Sequence, residues 1–169
     1  MKAVIIKKIP IREYNELIVC YTQEEGKQAY QAKSILRPNS KQAGHLDVLN
    51  LVDFNLVLGN GHPIITSAYC LDAFSSLKTS LGAMSVAFFI LELFDRAVME
   101  GQTDDKLWNF INSRLNYLNG LAFSNNTNWL NELVQTRKLA MDTLGYGVNA
   151  DPEFVFSRRF MSLSGPLEI

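Results

Sequence analysis

The chain has 169 residues, of which 47% are hydrophobic and 20% charged, and its formal net charge is −1. That composition can bury a core, which excludes a disordered chain. A charge so close to zero excludes a globally basic protein, so any nucleic-acid role must rest on a local patch.

Up to Leu71, short β-branched and aromatic runs alternate with polar and turn residues. That stretch holds eight lysines and arginines against six carboxylates, a balance of +2 that leaves −3 for the remainder. Residues 2–11 read as a first strand carrying Val4, Ile5, Ile6 and Ile9. Pro10 has no N–H for a ladder, so this strand is expected to end, bulge or lie at an edge there. Residues 16–22 form a second strand rich in Leu17, Ile18, Val19 and Tyr21, followed by a polar turn in which Gly26 can take positive φ. Residues 27–34 alternate cleanly. Gln28, Tyr30 and Ala32 face one way, and Lys27, Ala29, Gln31 and Lys33 the other.

Residues 35–44 contain Arg37-Pro38-Asn39-Ser40-Lys41 and form a loop, because proline disfavours the helical region for the residue before it. Residues 46–58 are expected to be one long strand, in which Leu46, Val48, Val52, Phe54, Leu56 and Leu58 share a parity broken only by Asn50. Gly59-Asn60-Gly61 is a hairpin signal, and residues 63–71 return as a fifth strand. Five strands in about seventy residues, with one long curved strand and no crossover helices, suit a small Greek-key barrel of the OB type. An SH3-like barrel remains the competing arrangement.

The second half is helical. Leu77, Leu81, Met84, Phe88 and Leu91 make one stripe, with Ala87, Phe89, Ile90 and Leu93 also apolar, so this helix is expected to be central. Thr103-Asp104-Asp105 caps a helix through Trp108, Ile111, Leu115 and Leu118, with Gly120 as its stop. Asn125-Asn126-Thr127 caps the next, which runs through Trp129, Leu130, Leu133, Val134, Arg137, Met141 and Leu144. Residues 148–169 have no clean period and read as an irregular segment packed through Phe154, Phe156 and Phe160. The fold class is therefore α+β in two parts: a five-stranded OB-type barrel over residues 1–72 and a helical domain over 73–169.

Catalytic chemistry has little support. His45 and His62, the two histidines, sit beside turn glycines, and no nucleophile is placed near either. There is no phosphate-cradling Gly-rich loop, no metal-ligand spacing, and no C-x-x-C pair around Cys20 or Cys70. No cofactor or metal is expected, and no enzyme. Residues 83–93, the most apolar stretch, are too short to span a bilayer, and no apolar leader opens the chain. A cytoplasmic protein without membrane contact is the expectation.

The basic segment says more. Lys27, Lys33, Arg37 and Lys41 lie on the third strand and the loop after it, with Tyr21 and Tyr30 on neighbouring strands. In OB barrels this face captures single strands by stacking and by cations tracking phosphates. The competing reading is ordinary: strand tyrosines as packing pairs and lysines as a solvated face.

The opening Met1-Lys2-Ala3-Val4-Ile5-Ile6-Lys7, then Glu13-Tyr14-Asn15-Glu16-Leu17, then Tyr21-Thr22-Gln23-Glu24-Glu25-Gly26-Lys27 resemble the start of the bacterial DNA-repair RecO family. The resemblance continues through Arg37-Pro38-x-Ser40-Lys41, Leu51-Val52-Asp53 and Leu91-Glu92-Leu93-x-Asp95-Arg96, ending near Leu144-Gly145-Tyr146. It implies an OB domain followed by a helical domain in a recombination mediator. Such a protein binds single- and double-stranded DNA, anneals strands, partners RecR, and engages the acidic tail of single-stranded-DNA-binding protein. Such a tail needs an apolar pocket rimmed by cations, and Arg96, Arg137 and Lys138, beside the apolar stripes at Leu93 and Phe94 and at Val134 and Met141, are the candidates; the competing reading is that each snorkels from a core helix into water. The chain departs from the family pattern at Ser34-Ile35-Leu36, where cations are common, and at Asn15, where Asp is usual. It also stops soon after Gly145-Tyr146, so the four-cysteine zinc module of many relatives is expected to be absent. The alternatives are an OB-plus-helix adaptor that binds only proteins, and an RNA-binding OB protein.

Overall fold

The computed structural model describes residues 1–59, 61–124 and 126–149. Five strands, β1 (Lys2–Ile11), β2 (Asn15–Thr22), β3 (Gly26–Ala32), β4 (Leu51–Val57) and β5 (Ile64–Asp72), close into a barrel in the order β1-β2-β3-β5-β4. Neighbours run antiparallel except β3 and β5, which meet in parallel at Gln31 and Ile64. This is the OB arrangement, and it decides against the SH3-like alternative.

β1 and β2 are apolar on both faces because each face meets a different core. Ala3, Ile5, Ile18 and Cys20 point into the barrel with Tyr30, Val52, Phe54 and Ile65. Val4, Ile6, Val19 and Tyr21 point outward, against the helices. The bulge in β1 falls between Ile5 and Lys7. Pro10 stays in the strand opposite Glu16, where β1 pairs with β2 alone, since its ladder to β4 covers only Lys2 to Val4. The missing N–H is thus harmless at an edge.

The expected long strand over 46–58 begins only at Leu51. Leu49 has φ 73, and buried Asn50 donates from Nδ2 to the carbonyls of Gly44 (3.2 Å) and His45 (2.9 Å). Its Oδ1 accepts from Lys78 Nζ at 2.6 Å. The residue that breaks the parity therefore folds the preceding segment into a turn. The loop between β3 and β4 plugs one end of the barrel with Ile35 and Leu46, both in the inner core. It also covers β5 beyond the β3 junction: Gln42 Nε2 donates to Thr66 O (2.8 Å), and Cys70 N donates to His45 Nδ1 (3.2 Å).

Four helices follow: α1 (Ser75–Thr79), α2 (Leu81–Ala97), α3 (Asp105–Leu121) and α4 (Trp129–Thr143). The expected stripe from Leu77 to Leu91 is interrupted at Ser80, which is extended and accepts from Ala83 N through its hydroxyl at 3.3 Å. That cap restarts the helix in a new phase. Ala83, Val86, Ala87, Ile90, Leu91, Leu93 and Phe94 are buried, while Leu81 and Phe88 are exposed. α3 starts as predicted, with Asp104 Oδ1 accepting from Lys106 N at 2.7 Å, and buries Leu107, Ile111, Leu115 and Leu118. α4 is capped by Asn128, one residue after the predicted cluster. Asn60 of the hairpin signal, Asn125 of that cluster, and Phe154, Phe156 and Phe160 lie outside the described residues. No helix among the described residues is long and apolar enough to cross a membrane.

Barrel and helices share a core. The Tyr21 and Phe94 rings meet edge to face at 5.1 Å, and Phe94 stacks on Phe110. A side chain of this size contributes about 1.5–3 kcal/mol when fully buried. Polar contacts fix the same junction: Lys7 Nζ to Asp95 Oδ2 at 2.6 Å, and Gly101 N to Lys27 O at 2.9 Å.

Candidate nucleic-acid interface

The five residues expected to bind DNA fall into two groups. Tyr30 is 1% exposed, its ring edge-on to Phe54 inside the barrel. Its hydroxyl donates to Glu25 Oε2 at 2.8 Å, and burial, then that hydrogen bond, pushes the phenol pKa upward. Lys27, on the outer face of β3, reaches the end of α2 and donates from Nζ to the carbonyls of Asp95 (2.6 Å) and Phe94 (3.4 Å). Both are last-turn carbonyls, that of Phe94 also accepting from the cap residue Val98 N at 3.4 Å, and a cation is favoured there. The alternation along β3 is as the sequence indicates. The helices cover its outer face around Lys27 and Ala29, and the inner face is the barrel core.

Lys33, Arg37 and Lys41 are brought together. All three are exposed, and with Ser34, Asn39 and Ser40 they line a shallow cavity of about 400 Å³ at the plugged end of the barrel. The loop is held in shape by its own backbone, Ser40 N donating to Arg37 O at 2.9 Å. It is tied to the start of β2 by Ser34 N to Asn15 Oδ1 (2.8 Å) and to the β1–β2 turn by Leu36 N to Tyr14 O (3.1 Å). Ile35, between these ties, anchors it in the core. None of the ion pairs among the described residues engages Lys33, Arg37 or Lys41, whereas Lys7, Lys8 and Lys78 are each paired with a carboxylate. The cations left facing solvent are those an anion can use.

Tyr14 belongs to this surface. It lies in the β1–β2 turn and is 40% exposed, with the Arg37 guanidinium 5.3 Å from its ring centroid. Sequence reasoning placed the aromatic role on strand residues; the usable signal was a tyrosine in a tight turn, where neither face of a sheet can absorb it.

Of the three helical cations, Arg96 pairs with Glu92 at 2.9 Å on the exposed side of α2, and Arg137 and Lys138 are exposed on α4. A cavity of about 900 Å³ between α3 and α4 is lined by Lys106, Arg114, Tyr117, Leu139 and Asp142, among others. Arg114 is mostly buried there, bonded to Glu132 Oε2 (2.6 Å) and Thr136 Oγ1 (2.8 Å). Among the described residues no group of three His, Cys, Asp or Glu side chains could hold a metal ion.

Residues 1–74 match the family described as Recombination protein O N terminal. The chain is also similar to proteins named DNA repair protein RecO. It is 26% identical to that of Desulforamulus reducens over 118 residues, covering 70% of this chain and 46% of the relative. The figures for Shouchella clausii are 27% over 117 residues, 69% and 46%. For Roseiflexus sp. they are 28% over 121 residues, 72% and 42%. The chain thus spans just under half the length of these curated relatives. The barrel topology, the order of the sequence motifs and these matches agree: residues 1–74 are similar to the N-terminal region of recombination protein O, and the chain resembles proteins of the RecO family.

Proposed function

We propose that this chain acts in recombinational DNA repair as a DNA-binding mediator that brings strands together without making or breaking bonds. The observation that carries the reading is the exposed trio Lys33, Arg37 and Lys41 on a loop tied by hydrogen bonds, none of them neutralised by a carboxylate among the described residues. The names of the relatives support it, since each is a DNA repair protein. Both single- and double-stranded DNA present the phosphates that such cations track.

RecR and the tail of single-stranded-DNA-binding protein are the partners that go with this reading. For the tail, support comes from exposed apolar groups on the same helices as Arg96, Arg137 and Lys138, namely Phe88 on α2 and Leu130 and Val134 on α4.

The test is a titration of single-stranded DNA at several salt concentrations. Neutralising Arg37 and Lys41 together is expected to weaken binding and to flatten the log-affinity against log-salt slope by about one to two units, roughly one per lost phosphate contact. An unchanged slope moves the site off this loop. Salt-independent binding, or none, favours the protein-only adaptor.

A further inference from the structure

We infer that Tyr14 is a stacking platform for an unpaired base and sets the strand preference of the interface, an inference that rests on the proposed DNA binding. Three observations converge on it. The first is availability. Tyr21 and Tyr30 are fully buried, so neither can offer a ring face to a ligand, whereas Tyr14 is exposed beside Arg37, which lines the cation-bearing cavity. Of the other exposed tyrosines, Tyr69 stands opposite Asp53 in the β4–β5 ladder, the guanidinium over Tyr117 belongs to Arg114, already neutralised by Glu132, and Tyr146 follows α4 in the helical half. At Tyr14 the overlying guanidinium, that of Arg37, has no carboxylate partner among the described residues.

The second is rigidity. Arg12 and Ser34, on the two segments that frame the site, both have φ 56, a left-handed conformation that costs a non-glycine residue about 1 kcal/mol or more. Such conformations persist where the surroundings enforce them, and here the Ser34–Asn15 and Leu36–Tyr14 hydrogen bonds do so. A ring fixed before binding loses little freedom when a base stacks on it.

The third is chemical fit. Exposed Arg12 lies two residues before Tyr14 in the turn, with exposed Glu13 between them, and Arg37 stands over the ring from the other framing segment. A base on the ring with phosphates on Arg12, Arg37 and Lys41 is the combination by which single strands are held. A duplex keeps its base faces in its own stack, so it can use the cations but not the ring.

Fluorescence anisotropy with labelled oligothymidine and with a duplex of equal length, using the whole chain, tests this. Tyr14→Ser is expected to weaken single-strand binding by about tenfold, leave duplex binding within about twofold, and keep the salt slope. Tyr14→Phe, which retains the ring, is expected to bind like the parent. Tyr14→Leu covers the Arg37 stem without offering a π face and should behave as Tyr14→Ser, which separates stacking from any loss of stability. The inference is overturned if Tyr14→Ser and Tyr14→Leu leave single-strand affinity unchanged, or weaken both DNA forms equally. If the parent binds neither DNA form, the proposed function fails as well. If the parent binds and the variants match it, only the stacking role fails.

Discussion

Lys27 and Lys41 show how one side chain takes two roles according to what surrounds it. The Lys41 ammonium faces water beside other cations, while the Lys27 ammonium closes the C-terminal turn of α2 through the Phe94 and Asp95 carbonyls. Lys27→Met keeps the apolar stem and removes the donor. It is expected to lower stability by about 1–2 kcal/mol, the scale of hydrogen bonds from a charged donor, while leaving the salt slope of DNA binding unchanged. Urea denaturation and the salt titration read the two effects separately; a slope that falls by a full unit would return Lys27 to the phosphate-binding set. Tyr30 follows the same logic. Its alternation with Lys27 is visible in the sequence, but that its face is the barrel interior is not. Facing is local, whereas what lies beyond each face depends on how the strands close and where the helices dock.

Among the elements, the strands β1, β2 and β3 were legible because their residues alternate or are apolar on both sides, and the turn chemistry at Gly26 and Pro38 marks their ends. The segment before β4 was not, because Asn50 acts through hydrogen bonds to Gly44, His45 and Lys78, partners that no periodicity reveals. Ser80 was missed for a related reason: a serine inside an apolar stripe looks like a tolerated polar residue until its hydroxyl is seen capping Ala83. The basic loop was readable from Arg37-Pro38 and its flanking lysines, whereas Tyr14 became part of the site only through the hydrogen bonds that bring the two turns together. Gly82 in α2 illustrates packing that overrides propensity. Alanine is normally the better helix former by about 1 kcal/mol, yet a Cβ here would overlap the Trp129 ring, lying 2.6 Å from its Nε1. Gly82→Ala is therefore expected to destabilise by about 1–3 kcal/mol, the usual cost of overpacking. Thermal melting checks the sign, and a gain in stability would mean that Trp129 moves aside freely.

At the scale of the whole molecule, barrel and helices are bound by one apolar core in which Val4, Ile6, Val19 and Tyr21 meet Ile90, Phe94 and Ile111. Neither half buries these groups alone, so the described chain is expected to unfold in a single cooperative transition. Both tryptophans, Trp108 and Trp129, lie on helices, so their fluorescence follows the helical half, while near-ultraviolet tyrosine signals include Tyr21 and Tyr30 of the barrel. Coincident denaturation curves are expected; a tyrosine transition well separated from the tryptophan one would show that the halves are energetically independent. One detail of the barrel carries a further consequence. β5 meets β3 at a single register position, and past it the free side of β5 is met by side chains, Gln42 at the Thr66 carbonyl and His45 at the Cys70 amide. An uncovered strand edge is a template on which another chain can add itself. The loop that presents cations to solvent therefore also works as a guard rail against self-association, and sequence changes that retune its charge are constrained to leave Gln42 and His45 in place.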